Sequence, residues 1–417
     1  MKKYCLLLLL MCALPVCASA QWYLFPGKKK QQNPQQQTTV QDTVRQERPD
    51  SVLLRPAADS LLTARADSLK AEESLELPDI FVLDIPSVIH VGLILPLQAS
   101  EKKPSENFLD FYSGALLALR EMGAAGVRVN LQVFDSAQGN ASVPPALIEE
   151  SDVILGPVTP ESIQATMPLC GKDKFLISPL DPKAVELAES GPVVQSPSPW
   201  TAQVDELVRW VEQDRLLGPE LYVIRVTAAL NPAEQTARLI GKLQERSIPY
   251  HSVMSVRDIP FRRDQPVHIL IASDRDNFIT GIVRNLSIEG ARNSNVVLYG
   301  TSRIRTSGTG QSDLHNTNAH VTASYYIDYE DPAVRRFILA YRALFQDEPG
   351  SFAFQGYDTM HYFVTMCTQF GRQWYKKLPE YDEKGLQADF RFREESGRVN
   401  QAVRRIVYNP DLTITRQ

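Results

Sequence analysis

Cysteine, long apolar runs and excess positive charge are all scarce in these 417 residues. Only five cysteines occur, and Cys5, Cys12 and Cys17 fall within the first twenty positions, so a disulfide-knit scaffold is excluded. Lys plus Arg number 44 against 49 Asp plus Glu, a formal charge of −5. No global field then draws phosphate backbones or anionic lipid, and nucleic acid is not an expected partner. Past the first twenty residues the apolar stretches are short and interrupted by charges, and none reaches the roughly 20 residues a spanning helix needs. No repeat of solenoid period is visible.

Catalytic motifs are missing as well. There is no G-x-S-x-G elbow for a serine hydrolase. The TSGTG stretch at 306–310 has no Lys-Ser/Thr to close a phosphate loop. His315 and His320 stand five apart on a predicted loop, which is not a helical zinc pair and has no cysteine beside it. The prediction is a protein that is not an enzyme and holds neither metal nor cofactor.

What the sequence does have begins with an address. Lys2 and Lys3 precede an apolar run from Leu6 to Val16, and Ala18-Ser19-Ala20 closes it with small residues, the pattern of a secretory signal at 1–20. Its removal takes two lysines and no acid, changing the charge from −5 to −7. Met11 before Cys12 and Val16 before Cys17 do not fit a lipoprotein signal, so lipid anchoring is not expected. From 21 to 87, Gln, Pro, Asp and Ser dominate and large aliphatics are sparse, which predicts a flexible linker.

The remainder alternates. VIHVGLILPL from Val88 is a continuous apolar run, as expected when both faces of a parallel sheet are covered. A helical stripe of Phe108, Phe111, Ala115, Leu119 and Met122 follows, then strands at VNLQVFD, DVILGPV and FLISPL separated by helices. A second series opens at Leu221 with LYVIRVTA, a helix with Asn231 at its N-cap and Pro232 in its first turn, and strands at PYHSVMSV, PVHILIASD and NVVLYGTS. Such alternation predicts an α/β fold of two doubly wound parallel-sheet lobes. RIRTSGTGQSDLHNTNAH reads as a loop, helices return before residue 380, and ADFRF and AVRRIVY close the chain as strands. Arg262 with Arg263, and Arg404 with Arg405, read as solvated faces. Cys170 and Cys367 read as buried thiols or as one disulfide.

The order VGLILPL, FLDFYSGALLAL, VNLQVFDSAQGN, VILGPVTPESI and FLISPL resembles the first lobe of type I periplasmic solute-binding proteins, the leucine-binding and receptor ligand-binding group. FAFQGYDTMHYF is similar to that family's Tyr-Asp-Ala helix, and the segment from ADFRF to AVRRIVY to its closing hairpin. The resemblance spans Val88 to Gln417. It implies three crossovers between the lobes and a ligand in the cleft, with one lobe from 88–200 plus about 303–385 and the other from about 201–302 plus 386–417.

Physics places the cleft residues at the carboxyl ends of the strands, where helix N-termini favour anions and acceptors. Thr159 and Ser178 are candidates for the first wall, with Asp135 and Ser136 beside them; the structural alternative is that Thr159 caps its helix and Asp135 ties its own turn. The second wall departs from the family's amino-acid binders, which present a carboxylate and an aromatic there. Here Asp274 offers a carboxylate and Thr301 a hydroxyl, while Gly300-Thr301-Ser302 offers no acid and Tyr299 sits inside its strand. The expected function is capture of a small polar solute. The alternative is a cell-envelope interaction module, similar to the activators of peptidoglycan synthases. A transporter permease is the partner implied by the first, a peptidoglycan synthase by the second.

Overall fold

A computed structural model describes residues 83–137, 142–215, 220–225, 233–262, 265–293 and 295–417. The signal, nearly all of the linker, and Asn231 with Pro232 lie outside the described residues. In chain order the elements are β1 (Ile89–Leu95), α1 (Glu106–Ala124), β2 (Val129–Asp135), α2 (Pro145–Glu150), β3 (Val153–Leu155), α3 (Pro160–Thr166), β4 (Leu176–Ser178), α4 (Val185–Ser190) and β5 (Val193–Gln195). The second series follows with α5 (Trp200–Arg215), β6 (Leu221–Arg225), α6 (Glu234–Glu245), β7 (His251–Val253), β8 (Val267–Ala272), α7 (Asp276–Asn293), β9 (Val296–Thr301), α8 (Arg303–Thr306), α9 (Gln311–Asn316) and β10 (His320–Ala323). The chain ends with α10 (Pro332–Phe345), α11 (Ser351–Phe370), β11 (Glu383–Lys384), β12 (Asp389–Phe390), β13 (Arg404–Tyr408) and β14 (Ile414–Arg416).

Two open sheets and a two-stranded antiparallel ribbon, β11-β12, result. One is wholly parallel in the order β2-β1-β3-β4-β5; the other runs β14-β13-β10-β9-β8-β6-β7, parallel except for β13 and β14 at one edge. The predicted doubly wound α/β architecture is therefore present. Side-chain alternation along β1 explains its unbroken apolar run. Val91, Leu93 and Leu95 pack with α1 and α11 residues on one face, whereas Ile94 packs with Leu147, Ile148 and Ile163 on the other. In β8 the same parity sends Ile269 and Ile271 toward α7, and Leu270 and Ala272 toward α5 and α6.

The turn after β3 shows why VILGPVTPES reads as it does. Gly156 has φ of +97°, and a Cβ there would lie 2.1 Å from the carbonyl oxygen of Ile94, so only glycine lets the chain leave β3 against β1.

Three segments cross between the two cores: from β5 into α5, from β10 into α10, and from β12, whose Phe390 packs in the core of the first sheet, into β13. They are knotted together by buried polar groups. The Asn400 amide donates to Ser196 O and Asp389 O, each at 2.8 Å, while its oxygen accepts from Arg391 N and Ala402 N at 2.9 Å. Arg404, 2% exposed, donates to the carbonyls of Tyr326, Leu386 (3.0 Å) and Gly385 (2.6 Å) and to the Asp389 carboxylate (2.7 Å). The predicted solvated Arg404 is thus a hinge core residue. Arg405 is fixed too, on Glu206 at 2.6 Å with its guanidinium stacked 5.1 Å from the Trp210 ring centre.

Other expectations are corrected. Residues 303–319 are not one loop: α8 inserts Ile304 and α9 inserts Leu314 into the core of the second sheet, and Ala319 joins them from the turn before β10. β10 joins that sheet beside β9, so the segment 303–323 sides with the second lobe, whereas α10 and α11 pack on α1 of the first. Polar composition hid these helices because they are short and show only one or two apolar residues each. His315 and His320 consequently sit on α9 and β10. The linker's last residues are also fastened, since Asp84 pairs with Arg372 at 2.8 Å. Cys170 and Cys367 are free thiols. Among the described residues, no helix is long and apolar enough to cross a membrane.

Candidate functional site

The carboxyl ends of both sheets meet at the hinge. Ser324, one residue past β10, donates to Ser198 O at 2.9 Å, just beyond β5. Gln203 in the first turn of α5 donates to Ser324 Oγ at 3.0 Å and accepts from Ser302 N, just beyond β9, at 3.1 Å.

On the first sheet, Thr159 caps α3. Its Oγ1 accepts from Ser162 N at 3.3 Å and lies 3.0 Å from Ser162 Oγ, and the residue remains exposed. Ser178 ends β4, next to β3, but is wholly buried, with Oγ 3.4 Å from Asp181 O. Asp135 ends the edge strand β2. Burial alone would raise its pKa, but N–H donors from Ala99 (2.9 Å), Ala137 (3.1 Å) and Gln98 (3.2 Å) outweigh that and hold it below the ordinary value. Asp135 therefore fastens the loop after β1 as well as its own turn. Ser136 is half-buried and donates its N–H to Leu95 O at 2.9 Å.

On the second sheet, Asp274 and Thr301 are brought together. They line one void of about 20 Å³, room for about one water. Asp274 accepts from Thr236 Oγ1 at 2.9 Å, and nearby Asp276 pairs with Arg303 at 2.9 Å. The polar groups of this wall are largely engaged with one another.

At the opposite, amino ends of the second sheet lies a cavity of about 560 Å³ that none of the six predicted residues lines. Asp214, His268, Tyr299 and His320 stand together in it. Tyr299 O–H donates to Asp214 Oδ2 at 2.7 Å and lies 3.2 Å from His268 Nδ1; His320 Nδ1 is 2.8 Å from Asn318 O. Burial, then Asp214, pushes the Tyr299 phenol up. Burial also lowers His268 to about 4 and depresses His320. Strand parity could have exposed this cluster, because His268 is in phase with Leu270 and Ala272 and must point inward with them.

Among solved structures, the chain is similar to a protein from Rhodospirillum rubrum described as a branched-chain amino acid ABC transporter, at 18% identity over 78% of this chain and 99% of that one, with a TM-score of 0.55. The fold is that of the type I periplasmic binding proteins. Lower-scoring type I binding proteins add nothing to that assignment: an ABC transporter substrate-binding protein from Desulfitobacterium hafniense in complex with Leu (15% identity, 79% and 100% covered, TM-score 0.45) and LivJ from Streptococcus pneumoniae with isoleucine (16%, 79% and 99%, 0.43). No family model matches the chain, and no curated protein matches its sequence. The type I fold accounts for the three crossings and for the strand ends gathered at the hinge.

Proposed function

We propose that this chain is an exported, non-enzymatic binding protein that captures a small polar ligand between its lobes. The observation that carries the proposal is the convergence of both sheets' carboxyl ends on one hinge of three crossing segments. Ligand contacts to both sides of such a hinge favour a closed state over an open one. Thr159, exposed at the start of α3, supplies the first wall; Ser178, having no exposed surface, acts through the loop it ties to Asp181. Asp274 and Thr301 supply the second wall. The description of the Rhodospirillum rubrum protein as a branched-chain amino acid ABC transporter supports this reading, with a transporter permease as partner.

A ligand that binds only the folded chain stabilises it by mass action, by about 2.7 kcal/mol at a hundred times its Kd. Amino acids, sugars and muropeptides screened by thermal shift should therefore include at least one that raises Tm, and Thr159→Ala should reduce that rise while leaving the unliganded Tm within a degree or two. One observation favours a second reading. With Asp274 held by Thr236 and only a water-sized void beside it, the second wall leaves an ammonium group poorly compensated. A cell-envelope interaction module, partnered by a peptidoglycan synthase, needs no such compensation. No shift with any solute, together with copurification of envelope proteins, would replace the first reading by the second.

A further inference from the structure

The cavity at the amino ends of the second sheet is built differently from the carboxyl-end walls. Its frame comes from four strands and one helix: Glu220 precedes β6, His268 is the second residue of β8, Val297 lies in β9, His320 begins β10, and Asp214 occupies the last turn of α5. His268 is 7% exposed, yet its ring borders an open volume of about 560 Å³.

Hydrogen-bond direction fixes what this wall presents. Tyr299 gives its only proton to the Asp214 carboxylate, so the contact with His268 must use Nδ1–H as donor. A carbonyl only accepts, so His320 must likewise donate Nδ1–H to Asn318 O. Both rings are kept neutral by burial, and each neutral imidazole is left with Nε2 as an acceptor. Neither Nε2 has a partner among the described residues. The side-chain oxygen of Asn318, buried in the same lining, has no donor either. Asp214 adds a carboxylate whose second oxygen has no partner among the described residues, at a helix C-terminus where the backbone dipole disfavours negative charge. Glu220 adds a second carboxylate, and among the described residues of the lining Arg262, at the exposed rim, is the only cation.

A wall of acceptors with excess negative charge calls for donors and positive charge. We propose that this cavity is a second binding site, separate from the hinge, for a small organic cation bearing several N–H donors: an amidinium, guanidinium or primary ammonium compound. The body of such a ligand would lie against Pro260, Pro266, Val267 and Val297, which supply the apolar part of the lining. Asp214 would take the charge, and the two Nε2 atoms would accept the remaining N–H groups. A metal ion is the weaker occupant, because among the described residues no group of three His, Cys, Asp or Glu side chains could hold one.

Benzamidine and benzoate test this directly, being nearly the same shape with opposite charge and opposite hydrogen-bonding sense. Calorimetric titration of the full chain should show benzamidine binding and benzoate binding at least about tenfold more weakly. Asp214→Asn keeps the volume and a partner for Tyr299 but removes the charge, and should cost about tenfold in benzamidine affinity. Gln265→Trp fills the cavity from an exposed rim position, without disturbing the core, and should abolish binding. Equal binding of benzoate, no binding of benzamidine, or wild-type affinity in both variants would each overturn the proposal.

Discussion

Replacing Arg404 by Met removes the donor group on which the hinge is centred. The guanidinium serves four acceptors: the carbonyls of Tyr326, Leu386 and Gly385, and the Asp389 carboxylate. Asp389 keeps a second partner, since Arg416 also reaches both its oxygens, at 2.8 and 2.7 Å. The three carbonyls do not, and a buried acceptor stripped of its donor costs about 1–3 kcal/mol. Water entering the vacated volume recovers part of that, which brings the expectation to about 3–5 kcal/mol, the usual cost of breaking a buried pair. Arg404→Lys restores the charge but not the fork that reaches carbonyls on two sides, so it should fall between wild type and Met. Urea unfolding followed by tryptophan fluorescence reads the difference as a shift in midpoint at nearly constant slope. A loss below about 1 kcal/mol for the Met variant would mean that the hinge is not held by this residue, and the account of the knot would fail.

Two glycines of α1 should respond in opposite directions to alanine. A Cβ on Gly114 would lie 1.9 Å from the Ala353 carbonyl oxygen, so α1 and α11 must separate, and Gly114→Ala should cost about 1–3 kcal/mol despite alanine's better helix propensity. Gly123 meets nothing within 4 Å, and Gly123→Ala should gain about 0.5–1 kcal/mol; the same sign for both would refute the close approach of the two helices. The His268 pKa, lowered by burial to about 4 from an ordinary 6.5, gives a pH window. The unfolded chain binds a proton first, so stability is intact above pH 6.5 and falls by up to about 3 kcal/mol as pH drops to 4, with half-buried His320 adding in the same sense. His268→Gln should flatten that part of the urea-midpoint profile; parallel profiles would show that the imidazole is not buried neutral.

Sequence made the sheet-and-helix order legible because periodicity reports burial directly. β1, β8 and β9 are predominantly apolar on both faces, as expected of strands that sit between two layers of helix. It was less informative wherever a polar residue faced inward. Arg404 is in phase with Ile406 and Tyr408, both in the second core, but its charge argued for solvent. His268 and Tyr299 are disguised in the same way, since their partner Asp214 is 54 residues before one and 85 before the other, a pairing that only the folded sheet and α5 create. At the predicted site, the strand ends were placed by topology, yet local spacing could not say that Ser178 would be covered or that Thr236 would occupy Asp274. The Tyr-Asp pair of FAFQGYDTMHYF is structural in its acid. Burial raises Asp358 to about 6 even though the N–H groups of Ala388, Gln387 and Leu386 converge on its carboxyl and oppose the shift.

The discontinuous path of the chain also governs how it can be made. The strands β1 to β5 come early in synthesis, but α11, which covers one face of their sheet, is not complete until residue 370. The other sheet waits longer still for its antiparallel edge, whose last strand ends at Arg416. A growing polypeptide therefore finishes neither sheet's core until most of its length has emerged, the first at Phe392 and the second at Tyr408. Until then its apolar strands lack the helical layers that will cover them and stand open to association with other chains.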